Sequence, residues 1–112
     1  MSVYIPHTWV ILKMTYEGND AYKVFAGWHG GYLDGDSWKL SSGITKIVEH
    51  DEHYEIHNTS GSIYICDKQS QRMSIYMSGV LQGLVDRLQS PDAVTVVEDF
   101  SVLKPMIVIG MT

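Results

Sequence analysis

Two apolar runs dominate the first quarter of the chain: Trp9-Val-Ile-Leu-Lys-Met-Thr-Tyr16 and Ala21-Tyr-Lys-Val-Phe-Ala-Gly-Trp28, separated by Glu17-Gly18-Asn19-Asp20. Both runs are rich in β-branched and aromatic residues and the break between them is turn-like, which predicts strand, turn and strand. With those four residues as the loop, Tyr16 faces Ala21 and Trp9 faces Trp28. Ile11, Val24 and Ala26 then share the face of Trp9, and Val10, Leu12, Met14 and Phe25 fill the other. Apolar side chains on both faces require cover on both, by a helix on one side and by sheet curvature or a second sheet on the other.

A second hairpin is predicted where Asn58-Thr-Ser-Gly61 separates Tyr54-Glu-Ile-His57 from Ser62-Ile-Tyr-Ile-Cys66. Read with a four-residue loop, Tyr54, Ile56, Ile63 and Ile65 point inward. Between the hairpins, Trp38 to Ser41 and Ile44 to Val48 read as strands interrupted at Gly43, and His50-Asp51-Glu52-His53 supplies a turn. Met77, Val80, Leu81, Leu84, Val85 and Leu88 recur at helical spacing, with Ser74 or Ser78 as cap, Ser90-Pro91 as stop, and Gly79 and Gly83 offering a side for close approach to a sheet. Ala93 to Val97 and Met106 to Ile109 read as closing strands, with Pro105 suited to the start or edge of the last.

These elements predict an α+β fold: a strongly bent antiparallel sheet of about five to seven strands with one packed helix, a partly open barrel being the variant. Residues 1–112 read as a single domain, with 93–112 a C-terminal strand extension. The net charge of −5, with Lys and Arg scattered, removes the counterion-release term behind generic nucleic-acid binding. Cys66 is the only cysteine, so no intrachain disulfide forms and a reducing, cytoplasmic setting is expected. The start MSVYIPHTW lacks a signal-peptide pattern, and no apolar run approaches the ~20 residues of a membrane span.

Between Trp28 and Lys46 two Trp, a Tyr and a run of Gly crowd together without a clear period of their own, the composition of a shaped recognition surface. His29, Tyr32, Asp34 and Trp38 are its candidate binding residues, competing with a role in closing the core. On the second hairpin, the four-residue loop places His53 opposite Cys66 and Glu55 opposite Tyr64, with His57 on the same outward face. Such a face suits a metal ion or an imidazole-activated thiol, so His53, His57 and Cys66 are the candidate metal or thiol-enzyme set. The plainer reading is solvated polar residues on an outer face and a cysteine packed as a small hydrophobe. No cofactor fingerprint is present and none is expected.

The strings Tyr22-Lys-Val-Phe-Ala-Gly-Trp28, Gly30-Gly-Tyr32, Asp36-Ser-Trp38, Ser42-Gly-Ile-Thr-Lys46 and Ser60-Gly-Ser62 to Cys66 resemble a group of small proteins from tailed phages of marine bacteria. The likeness spans about residues 5 to 80. It carries no activity and no catalytic residue; it implies a small intracellular accessory protein of phage type. An interaction protein that binds a host or phage protein through the Gly/aromatic loop is therefore the expected function, without a membrane or nucleic acid. A metal-dependent or thiol enzyme and a single-strand nucleic-acid binder are the alternatives. Met106 to Ile109 is an expected homodimer edge.

Overall fold

A computed structural model describes residues 2–31, 35–88 and 93–110, whose elements are β1 (Val3–Tyr4), β2 (Thr8–Tyr16), β3 (Asn19–Gly31), β4 (Gly35–Leu40), β5 (Ile44–Glu49), β6 (His53–Asn58), β7 (Ile63–Asp67), α1 (Ile75–Leu88), β8 (Val94–Val97) and β9 (Ile107–Ile109). Two short 3₁₀ segments, Lys68–Ser70 and Phe100–Met106, join them. The fold is α+β. The bent sheet divides into two separate layers, one ordered β1-β7-β6-β5-β9 and the other β4-β3-β2-β8, and these do not close into a barrel. Helix α1 packs on the far side of the four-stranded sheet, so the layers run sheet, sheet, helix.

The central strands β2 and β3 are apolar on both faces because both faces are covered. Trp9, Ile11, Val24 and Ala26 meet Ile44, Ile47, Ile56, Tyr64, Cys66 and Leu103 between the sheets. Val10, Leu12 and Phe25 meet Met77, Val80, Leu81 and Val85 of the helix. The predicted division of faces holds, although the turn is shorter than expected. Tyr16 pairs with Asn19, leaving Glu17 (φ 51) and Gly18 (φ 82) as a two-residue loop with both positions left-handed, as a type I′ turn requires. Trp9 consequently pairs with Ala26 instead of Trp28. A displacement by two residues preserves which side each residue faces.

The second hairpin differs by one residue, and the consequence is opposite. Asn58 N–H donates to the Ser62 carbonyl, and Gly61 N–H returns to the Asn58 carbonyl with Gly61 at φ 89. The loop is therefore the three residues Thr59-Ser60-Gly61, a turn closed by a left-handed glycine. Ile56 pairs with Tyr64 and Tyr54 with Cys66, so Tyr64 and Cys66 face the core while Ile63 and Ile65 turn outward beside His57 and Glu55.

Ser74 Oγ accepts the Met77 N–H and caps α1 as predicted. Gly79 and Gly83 face open space, so neither serves a close approach to a sheet. That role belongs to Gly27 on β3, where an added Cβ would strike the Met77 Sδ and come within 2.8 Å of its Cγ. Ser90-Pro91, the predicted stop, lies outside the described residues. The closing strands join different sheets: β8 runs antiparallel to β2, and β9 runs parallel to β5 at an outer edge.

Candidate functional site

The stretch from Trp28 to Trp38, expected as an irregular loop, is largely paired strand. β3 continues to Gly31, β4 begins at Gly35, and a register irregularity lies between Trp28 and Gly31. Tyr32 and Asp34 lie outside the described residues. His29 is exposed; its N–H donates to His7 Nδ1 at 2.8 Å and its ring stacks on His7 at 5.3 Å. Trp38 packs edge-on to Phe25 at 5.9 Å and stays 37% exposed. His29 and Trp38 thus do separate work: the Trp38 ring lies with Phe25 on the helix side of β4, while Lys39, the next residue, turns to the other face and into a recess that Trp38 only borders.

That recess is an open groove of about 490 Å³ between β1, an outer strand of one sheet, and β4, an outer strand of the other. Its aromatic wall is continuous: Tyr4 lies edge-on to Trp28 at 6.3 Å and tilts against buried Tyr64 at 5.0 Å. Trp28 is held by its indole N–H, which donates to the Ile5 carbonyl at 3.0 Å. Lys39 Nζ lies over the Tyr4 ring at 5.1 Å, a distance at which a cation is attracted to the ring face. Val3 (57% exposed) and Ile5 (67% exposed) form an apolar rim.

Sequence reasoning finds Trp38, which borders the groove with its ring turned to the other face, but misses Tyr4, Lys39 and the rim. The available signal is Val3-Tyr4-Ile5, a short β-rich run before Pro6. What no local pattern shows is its parallel pairing, Val3 with Ile63 and Tyr4 with Tyr64, which brings it alongside β4.

No family model matches the chain, and neither a curated protein nor a solved structure shows significant similarity to it.

The second predicted site does not assemble. Cys66 is completely buried between the sheets, on the opposite side of β6 and β7 from His57, because the three-residue loop turns β7 over. Burial pushes its thiol well above the usual range, the reverse of what a nucleophilic or metal-binding thiolate needs. His53 and His57 remain on the outer side of β6 but do different things. His57 Nε2 and Glu55 Oε2 are 2.6 Å apart, whereas His53 stacks on His50 at 4.5 Å. His50 Nε2 lies 3.8 Å from Glu55 Oε1 and has no hydrogen-bond partner among the described residues. No group of three His, Cys, Asp or Glu side chains among the described residues is arranged to hold a metal ion.

At the end of the same sheet, Lys68 Nζ donates to Glu49 Oε2 at 2.7 Å and lies over the Tyr54 ring at 5.0 Å. The hydrogen bond raises the lysine pKa, so this amine stays protonated and engaged. Among the described residues, no helix is long and apolar enough to cross a membrane.

Proposed function

We propose that this protein is a cytoplasmic accessory protein that binds a protein partner along the groove between β1 and β4, at the base of the Gly/aromatic hairpin. The supporting observation is the Tyr4 and Trp28 wall beside Lys39, rimmed by exposed Val3 and Ile5, on a chain whose Trp9 and Phe25 are completely buried. Trp and Tyr give large contact area at low entropic cost and are enriched at the centres of protein interfaces. Sheet edges add backbone groups that a partner strand can use. The phage resemblance supplies the partner pool, a host or phage protein.

The test is photo-cross-linking from a benzophenone side chain placed at Ser37, in the groove, or at Gln82, on the exposed side of α1. A discrete adduct from Ser37, lost on Tyr4→Ala and not formed from Gln82, is the expected result. Equal adducts from both positions, or an adduct that survives Tyr4→Ala, would contradict it.

A further inference from the structure

The groove's chemistry narrows what fits it. No Asp or Glu lines it among the described residues, although the chain carries thirteen acidic against eight basic residues. Lys39 has no carboxylate partner among the described residues: the ion pairs there involve His50, His57 and Lys68, and Lys39 is held against the Tyr4 ring instead. Within the described residues the Ser37 hydroxyl also has no hydrogen-bond partner. The groove therefore presents a cation and a hydroxyl beside the Tyr4 and Trp28 rings, on a molecule that is otherwise negative.

Resting on the reading of this groove as the partner surface, we infer that it takes an extended acidic segment of the partner in which an aromatic or large aliphatic side chain is flanked by carboxylates. The apolar side chain lies against Tyr4 and Trp28, and a carboxylate is received by Lys39. Cation–π contact with Tyr4 holds the amine over the groove while leaving its N–H groups free to donate. A peptide fits better than a small free acid. Small-ligand sites enclose most of their ligand, whereas Val3 and Ile5 on this rim stay more than half exposed and the two flanking strands are sheet edges along which a chain can continue.

Fluorescence anisotropy with labelled octapeptides tests this, using a central Phe flanked by two Asp, two Asn or two Lys, with oligo-dT as the nucleic-acid arm. The expected order is Asp tightest and Lys weakest. Lys39→Gln should cost the Asp peptide roughly threefold to fivefold and leave the Asn peptide unchanged. Tyr4→Ala should weaken both by about tenfold or more. If Asp and Asn peptides bind equally and both depend on Tyr4, the acidic specificity is wrong while the groove reading stands; preference for the Lys peptide has the same meaning. If no peptide binds, or binding ignores both substitutions, both readings fail. Tighter, Tyr4-dependent binding of oligo-dT would replace the peptide with nucleic acid.

Discussion

Ile56 stands opposite Tyr64 across β6 and β7, with both side chains in the core between the sheets. A four-residue loop would have set Ile56 against Ile63, and that single step decides the fate of the thiol and of the imidazoles. Because side chains alternate with a period of two, a shift by one residue moves a whole strand's set to the other face.

Cys66 should behave as a core residue. In the native protein its thiol should resist Ellman's reagent and iodoacetamide, with labelling that accelerates only where urea unfolds the chain. The raised thiol pKa has a definite sign: the buried neutral form contributes stability below the unfolded thiol pKa of about 8.5, and that contribution falls as pH rises above it. Fast labelling of folded protein at neutral pH would show that β7 faces the other way.

Gly61 should resist replacement for a backbone reason alone. An added Cβ meets nothing within 4 Å, yet φ is 89°. Gly61→Ala should therefore cost about 1–2 kcal/mol, read as a lower urea midpoint with an unchanged slope. No loss of stability would mean that the three-residue loop is wrong.

Gly27 and Met77 should be energetically coupled. Thr8 Oγ1 donates to the Met77 Sδ at 3.0 Å, so the thioether is fixed above the glycine. Gly27→Ala should destabilise by about 1–3 kcal/mol through overpacking. Met77→Ala should cost about 2–5 kcal/mol through the cavity it leaves. The double variant should be less damaged than the two costs added, since the shortened side chain vacates the space the new methyl needs. Strict additivity would separate the helix from this part of the sheet.

Asp99 caps the 3₁₀ segment Phe100–Met106: its Oδ1 accepts the Ser101 N–H at 2.9 Å, and hydrogen bonding to Ser101 lowers its pKa. A lowered folded pKa means that the cap contributes fully above the unfolded carboxyl range near ~4 and is lost as pH falls through the folded value. Asp99→Ala should be destabilising at pH 7, with the difference from wild type shrinking in acid. A difference that does not depend on pH would contradict the ionic cap.

The outer side of β9 is where a second copy is expected to add. Val108 is 48% and Ile109 80% exposed at the end of a sheet, an arrangement suited to antiparallel strand addition. Concentration-dependent dimerisation in sedimentation, abolished by Ile109→Lys, is the expected outcome. A monomer at every concentration would exclude it.

The legible parts of this molecule are those that local pattern controls. The α1 stripe is readable because the apolar spacing from Met77 to Leu88 has one physical meaning. The two faces of β2 and β3 are readable even though the turn is shorter than its residues suggest, because the displacement is even. In β6 and β7 the displacement is odd, and both Ile63-Ile65 and Tyr64-Cys66 are apolar enough to pass as a core face. The groove is half legible: Trp28 stands out by residue type, but Tyr4 and Lys39 meet only because β1 pairs in parallel with β7, distant in sequence. The extended reach of β3 is hidden by Gly30 and Gly31, which add no side-chain alternation, and by the register irregularity after Trp28.

The three tryptophans report separately on this account. The Trp9 indole N–H is tied to the Asp67 carbonyl in the core at 2.7 Å, Trp28 to the Ile5 carbonyl in the groove wall at 3.0 Å, and the Trp38 ring packs on Phe25 on the helix side of β4. Titrating ¹⁵N-labelled protein with the tightest-binding peptide should move the Trp28 indole signal saturably and leave Trp9 in place. Saturable binding that leaves Trp28 unmoved would contradict the central claim that the β1–β4 groove is the recognition surface.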